Sequence, residues 1–284
     1  MRKHQGKLYI CATPIGNLED ITLRALRILK EVDLIAAEDT RVTRKLLAHY
    51  SISTPTTSYH EHNEATKGRE LVEAMRSGKT VALVSDAGMP GISDPGHRLI
   101  KACIDEGIGV EPIPGPSALI TALVVSGLPT DSFIFQGFLP RKKGERTRLL
   151  EELLALNRTV VLFESPRRLR NTLQEVTEID PSRETVVARE LTKKFEEILR
   201  GTASELLKKL ADTELKGEIV LLFGPALKKL PKATFDELRT AVIELLKKGI
   251  PKKQAIADVA KRYAISKHSV YEAVIDIHQK GIKK

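Results

Sequence analysis

Across its first 113 residues the chain alternates short apolar runs with amphipathic stretches, and this alternation constrains the fold more than any other feature. Lys7–Ala12, Asp33–Ala37, Thr80–Val84 and Gly109–Ile113 read as strands. Between them lie helical patterns. Thr22 caps Leu23–Glu31, Arg41–Tyr50 follows the second strand, Asn63 caps a helix reaching Ser77, and His97–Ile104 leads into the fourth strand. A strand that returns to its sheet only after a helix pairs in parallel, so this region is expected to form a mostly parallel α/β sheet. The stretch between Tyr50 and Asn63 reads as a polar, Thr- and Ser-rich loop ending in Tyr59-His60-Glu61-His62.

Pro114-Gly115-Pro116-Ser117 breaks the alternation. Ser117 can cap an apolar helix, Ala118–Ser126, which Gly127 ends. A second α/β unit begins near Phe133–Phe138 and contains the strands Thr159–Phe163, Thr185–Ala188 and Glu218–Phe223. Boundaries are placed near residues 120 and 228, which makes two α/β domains, 1–120 and 121–227, and a small helical module, 228–284. In that module Phe235–Lys248, Pro251–Tyr263 and His268–Gln279 read as helices, with a turn at Ala264-Ile265-Ser266 and Ser266 as a cap.

Charge separates the module from the rest. The chain carries a net +9, and residues 228–284 hold 14 Lys/Arg against 6 Asp/Glu. Three short helices with a basic surface resemble a helix-turn-helix module and point to a polyanion such as nucleic acid. A helical cap on the preceding domain is the alternative. No apolar run approaches the ~18–20 residues of a membrane helix. Met1–Gly6 lacks the apolar stretch of a secretory leader, so cytoplasmic residence without membrane association is expected. Cys11 and Cys103 suit a reducing compartment and read as small hydrophobes.

The segment Ser85–Gly96, between the third predicted strand and the helix at His97, holds three glycines and two prolines in twelve residues. A connector here needs only a few residues. Gly and Pro let backbone approach a ligand closely and hold a fixed shape, at the strand end where open α/β sheets bind ligands. The turn after the first strand, Thr13-Pro14-Ile15-Gly16-Asn17, lacks the GxGxxG of an ordinary dinucleotide site. Gly91–Arg98 has the glycine spacing of a P-loop, but His97 and Arg98 stand where Lys and Ser/Thr are required, which argues against nucleotide hydrolysis. HExxH and GxSxG are absent, and His60-Glu61-His62 reads as polar loop rather than metal site. No metal is expected. Glu38-Asp39-Thr40-Arg41 ends the second strand, and two readings stay open there: substrate contact with proton handling, or helix capping beside a paired Arg41. Arg141–Arg146 is a phosphate-contact candidate or a solvated charge run.

Taken in order, Thr13–Thr22, Ala37–Arg41, Asp86–Gly96, Pro114–Ala118, Phe163–Arg168 and Lys216-Gly217-Glu218 resemble the bacterial ribosomal RNA small subunit methyltransferase I group of the tetrapyrrole methylase superfamily. The resemblance covers roughly residues 6–225, and the helical tail is similar to that group's C-terminal module. Cys11-Ala12 departs from the Val-Gly usual before Thr-Pro.

The resemblance implies S-adenosyl-L-methionine as methyl donor in a cleft between two α/β domains, a homodimer, and methylation of a cytidine ribose 2′-hydroxyl in the 16S rRNA of the small ribosomal subunit. It implies a donor pocket from Pro14, Asp86, Ala87, Gly88, Met89, Ser117, Ala118, Glu164 and Glu218, with Ala188–Leu191 a vaguer match. A ribose hydroxyl is a poor nucleophile near neutrality and needs a base. The candidates are Glu38 and Asp39, then His60, with Arg41 holding RNA phosphate. Two rivals remain: an enzyme of this fold that methylates a tetrapyrrole carbon, against which the basic tail argues, and a ligand-sensing nucleic-acid-binding regulator without chemistry.

Overall fold

The computed structural model describes residues 6–211, 214–226, 234–263 and 267–275. Residues 1–226 form one compact unit and residues 227–284 another.

The first sheet of the larger unit contains β1 (Lys7–Cys11), β2 (Leu34–Ala37), β3 (Thr56–Ser58), β4 (Thr80–Val84) and β5 (Gly109–Ile113) in the order β3-β2-β4-β1-β5. Every pairing is parallel. α1 (Leu23–Glu31) and α2 (Thr40–His49) carry the chain leftward in that order, while α3 (Glu64–Arg76) and α4 (His97–Asp105) carry it back to the right. Right-handed crossovers therefore put α1 and α2 on one face and α3 and α4 on the other. The side chains obey this division. Cys11, Ile35, Ala37, Ala82 and Val84 pack with α1 and α2, whereas Leu8, Ile10, Ala36, Val81 and Leu83 pack with α3 and α4. The period-2 alternation along each strand is what splits the apolar residues between two cores.

β3 occupies what the sequence reads as polar loop. It is a three-residue edge strand, half-buried throughout, and a polar edge resists further pairing. Asn63 differs from its expected capping role. Its side chain makes no cap bond to α3; Oδ1 accepts from the His60 N–H at 2.9 Å and Nδ2 donates to the Ser58 carbonyl at 3.2 Å. Thr22 does cap α1, accepting from the Ala25 N–H at 3.1 Å.

The second sheet has the order β6-β7-β10-β8-β9, from β6 (Phe133–Phe138), β7 (Thr159–Glu164), β8 (Glu184–Arg189), β9 (Glu197–Thr202) and β10 (Ile219–Phe223). Only β6–β7 is parallel; the other three pairings are antiparallel. One face packs on α6 (Lys143–Leu154), α7 (Pro166–Ile179) and α8 (Ala203–Lys209) through residues such as Val160, Leu162, Val187 and Leu221. The opposite face, with Val161, Val186, Ala188 and Val220, receives α5 (Ala118–Ser126) and also Ile15 and Ala87 from the first lobe. The expected division near residue 120 falls inside α5, a helix of the second sheet's core. That places the passage between the lobes at Pro114–Ser117.

The smaller unit contains α9 (Phe235–Lys247), α10 (Lys252–Tyr263) and α11 (Lys267–Ala273) around their own core of Leu238, Val242, Val259 and Val270. The expected boundary near 228, the turn 264–266 with its Ser266 cap, and the last expected helical turns up to Gln279 lie outside the described residues.

Candidate functional site

In the first sheet, β1 leads to a crossover on one face and β4 to a crossover on the other. The loops after these neighbouring strands diverge there, at the kind of switch point where α/β sheets bind ligands. Thr13 and Gly88 bridge the divergence. The Thr13 N–H donates to the Gly88 carbonyl at 2.9 Å and the Gly88 N–H to the Thr13 carbonyl at 3.0 Å. Thr13 Oγ1 also donates to the Ser85 carbonyl at 3.0 Å. Gly88 has φ +80°, which an L side chain adopts only with strain. The Gly/Pro loop is held at its far end too, because Glu64 Oε1 accepts from the Gly96 N–H at 3.2 Å.

Above this junction lies a cavity of about 610 Å³ between the two lobes. That volume is within the roughly 300–1,000 Å³ of small-molecule sites. From the first lobe come Ile15 and the loop after β4, while Gly115, Ser117 and the start of α5 follow the passage into the second lobe. From the second come the ends of β6 and β7, the segment after β8, and the turn into β10. The walls are mainly apolar, and Phe138 and Phe163 form an aromatic edge with ring centroids 5.6 Å apart.

Eight residues expected to hold a donor line this cavity: Ala87, Gly88, Met89, Ser117, Ala118, Glu164, Leu191 and Glu218. Ser117 caps α5, its Oγ accepting from the Ile120 N–H at 3.5 Å, and so sets the first turn of that helix against the cavity. Glu164 contributes little polarity, since its carboxylate is withdrawn from solvent. Oε1 accepts from the Ser165 N–H and Oε2 from the Thr172 hydroxyl, both at 2.8 Å. The Glu218 side chain is largely exposed and pairs with Lys193 at 3.1 Å. Pro14 is buried between Thr13 and Ile15 and does not line the cavity.

Asp86, expected as the donor's polar anchor, is not a lining residue either. It belongs to a row of carboxylates at the ends of β2 and β4. Glu38 Oε2 accepts from the Asp86 N–H at 3.3 Å, and Asp86 Oδ1 accepts from the Asp39 N–H at 3.0 Å. Burial raises the Glu38 carboxyl above its ordinary value, with Asp86 and Asp39 adding repulsion, and burial likewise raises Asp86.

Asp39 behaves oppositely. Its carboxylate accepts from the Arg41 side chain and backbone N–H, which holds it down at about 2. Capping thus describes Asp39, and a carboxylate so stabilised is a weak base. Arg41 is exposed apart from this pair. His60 stands near Glu38, outside the cavity lining, and its Nδ1 is buried without a hydrogen-bond partner. Among the described residues no cluster of three or more His, Cys, Asp or Glu could hold a metal.

Two other expectations resolve toward structure. Arg146 pairs with Glu175, both largely buried, and Lys142 pairs with Glu145, so part of the 141–146 charge run is engaged within the protein. Burial pushes the Cys11 thiol up to about 12 and Cys103 to about 11, which keeps both as inert hydrophobes.

Sequence reasoning missed Ser93 and Asp94, which line the cavity from within the Gly/Pro loop. The available signal was a carboxylate inside a ligand-approaching loop.

The chain matches the family model of Tetrapyrrole (Corrin/Porphyrin) Methylases over residues 7–207. It is 48% identical over 274 residues to the ribosomal RNA small subunit methyltransferase I of Halalkalibacterium halodurans, covering 95% of each chain. It is 47% identical over 279 residues to the protein of that name from Mesorhizobium japonicum, covering 97% of this chain and 94% of the relative. Among solved structures it is similar to a cobalt precorrin-4 methyltransferase, with a TM-score of 0.57, 20% identity, and coverage of 79% and 97%. A uroporphyrin-III C-methyltransferase from Thermus thermophilus complexed with S-adenyl homocysteine gives a TM-score of 0.55 at 20% identity, covering 79% of this chain and all of that one. Likeness at such identity is likeness of fold.

Proposed function

The chain belongs to the tetrapyrrole methylase family, and on that premise we propose that it transfers the methyl group of S-adenosyl-L-methionine to the ribose 2′-hydroxyl of a cytidine in 16S rRNA. The observation that carries this reading is the 610 Å³ cavity between the lobes, built by the motif segments the chain has in common with that family. Full-length relatives named as ribosomal RNA small subunit methyltransferases direct it to RNA rather than to a macrocycle.

The residues present suit the donor. Ile15, Met89, Leu191 and Val220 offer an apolar bed for its flat and aliphatic parts. The first turn of α5 presents Ala118 and Leu119 N–H groups, unpaired within the helix as at any helix start, to a carboxylate. When bound, the donor supplies a methyl group already activated by its sulfonium. The protein's share is to align the accepting oxygen, exclude water and take up a proton.

For the RNA we assign Arg41 to a phosphate, since its guanidinium is exposed beyond its pair with Asp39. The basic smaller unit serves as a second contact. There Lys253, Gln254, Lys267, His268 and Tyr271 line a groove along α10 and α11, where lysine suits an RNA phosphate and the exposed Tyr271 ring suits a stacked base. α5 supports a homodimer: Ile120 and Val124, one turn apart on one helix face, are 47% and 70% exposed and offer an apolar strip to a second copy. No described helix is long and apolar enough to cross a membrane, and an enzyme acting on the small subunit would work in the cytoplasm.

The test is incubation with methyl-labelled donor and small ribosomal subunits lacking the modification. Label in a ribose of 16S rRNA is the expected result. No transfer to the subunits, or transfer only to a tetrapyrrole supplied in a parallel incubation, overturns the reading.

A further inference from the structure

Two large apolar side chains that line the cavity are also open to solvent. Phe138, at the end of β6, is 56% exposed, and Ile92, from the Gly/Pro loop, is 46% exposed. They stand at the mouth of the cavity, whereas Ile15, Leu191 and Val220 of the donor's apolar bed are buried. Single apolar side chains on a surface are ordinary. Phe138 differs because the strand is bent to aim it. The β6–β7 register shifts between Phe135 and Gly137, and Gly137 sits at φ +74°. A bulge adds a residue and re-aims the side chains that follow it. Phe135 and Phe138 are three positions apart and would lie on opposite faces of a regular strand. The bulge turns both rings to Phe163, with centroids 5.0 and 5.6 Å away.

The surroundings of the ring are fixed. A Cβ on Gly137 would lie 3.2 Å from Ser93 Oγ, so the loop that carries Ile92 runs against the end of β6. Leu139 is buried, and Arg168 Nη2 donates to the Leu139 and Pro140 carbonyls at 2.9 and 3.2 Å. A side chain on so anchored a backbone is pre-organised for contact. Cations lie close by along the chain: Arg141 and Lys143 follow Phe138 on exposed surface, and exposed Arg167 adjoins the lining residue Pro166. An aromatic face flanked by positive charge matches a nucleotide, which joins a flat base to a phosphate.

We propose that Phe138 is the platform on which the target base of the RNA stacks once its nucleotide has turned out of the strand into the cavity, a role that rests on the function proposed above. A nucleotide held in its own stack cannot reach a donor enclosed between two lobes, and turning it out costs the stacking it leaves. A ring at the mouth restores part of that stacking. Ile92 adds apolar contact from the Gly/Pro loop, and Arg141 and Arg167 serve the flanking phosphates. Every base has a π face, so the platform holds the nucleotide without choosing cytosine.

The experiment measures single-turnover methyl transfer at subsaturating small subunits for wild type, Phe138→Ala and Phe138→Tyr, with calorimetric binding of S-adenosylhomocysteine. In a parallel arm, benzoylphenylalanine at position 138 is photo-crosslinked to subunits with S-adenosylhomocysteine bound, and the modified nucleotide is mapped by reverse-transcription stops. Phe138→Ala should slow transfer by about 5- to 150-fold, the span for losing one stacked base. Phe138→Tyr keeps the ring and should stay within threefold of wild type, a rescue that hydroxyl-tolerant stacking explains. Both should bind S-adenosylhomocysteine within threefold of wild type. The crosslink should fall on the nucleotide that wild type labels. The proposal is overturned if Phe138→Ala loses less than fivefold, if Phe138→Tyr is as slow as Phe138→Ala, if the rate loss tracks lost S-adenosylhomocysteine binding, which would give the ring to the donor, or if the crosslink falls elsewhere. Failure of the wild type to label RNA would instead overturn the functional reading, and the crosslink, which needs no transfer, is read independently of it.

Discussion

The backbone N–H of Asn17 donates to Thr192 Oγ1 at 3.0 Å, joining the loop after β1 to the segment after β8. The contact ties the two lobes beside the cavity. Thr192 sits at φ +65° and Glu190 at φ +51°, so this segment keeps an uncommon shape where it meets the first lobe.

Gly16 makes that meeting possible. A Cβ there would lie 2.5 Å from Lys193 Cγ, 2.7 Å from Thr192 Oγ1 and 3.0 Å from the Leu191 carbonyl. The lysine stem can move, but the backbone carbonyl cannot without shifting a cavity residue. Gly16→Ala should therefore weaken S-adenosylhomocysteine binding at least tenfold, measured by calorimetry. The far-UV spectrum should stay unchanged.

Arg146 and Glu175 form a pair whose side chains are 13% and 9% exposed. Arg146→Ala would leave a buried carboxylate without its cation, at a cost of about 3 kcal/mol in denaturant unfolding. Truncating both partners together should cost less than the sum of the single changes. RNA affinity should not change, because the guanidinium already serves the fold.

Asp94 links the site to stability, and the sign follows from its raised carboxyl. The folded state holds the proton that the unfolded state releases above its ordinary value of 3.8. This contribution is full below that value and is lost as pH rises through about 7. Asp94→Asn should thus be more stable than wild type at pH 8, by on the order of 1–2 kcal/mol once partial exposure is allowed for, with the difference fading toward pH 4. Asp33 runs the other way. Its carboxylate accepts from the Thr80 N–H at 2.7 Å, which lowers it, so its contribution is present above the ordinary aspartate range and is lost on acidification. Denaturant midpoints of Asp94→Asn and Asp33→Asn against pH check both.

Lys253 and Lys267 line the groove along α10 and α11. If both meet RNA phosphate, Lys253→Gln with Lys267→Gln should reduce the slope of log affinity against log salt by about 2 while sparing S-adenosylhomocysteine binding. Filter binding to small-subunit RNA over a salt series reads the slope.

The first sheet was legible because its strands are apolar runs separated by amphipathic helices, and a strand–helix–strand path leaves little choice but parallel pairing. β3 and β9 were not legible. Each is an edge strand whose residues are only partly buried, so no alternation marks it. The antiparallel character of the second sheet was hidden for a different reason. The direction of β10 between β7 and β8 depends on partners far along the chain, and no local periodicity records it.

The same distinction holds at the site. The linear chain marks which loops surround the cavity, because Gly, Pro and helix-capping residues act within a few positions of one another. It also determined the family, through the order of those segments. Which carboxylate faces the cavity follows only from how the strands and loops pack. Glu38, Asp39, Asp86 and Asp94 all lie in loops at strand ends and look alike in a linear reading. Their charge states are set by burial and by neighbours up to 56 residues away, such as Glu38 beside Asp94. Electrostatic coupling follows distance through space, and only the packed sheet brings those loops within reach of each other.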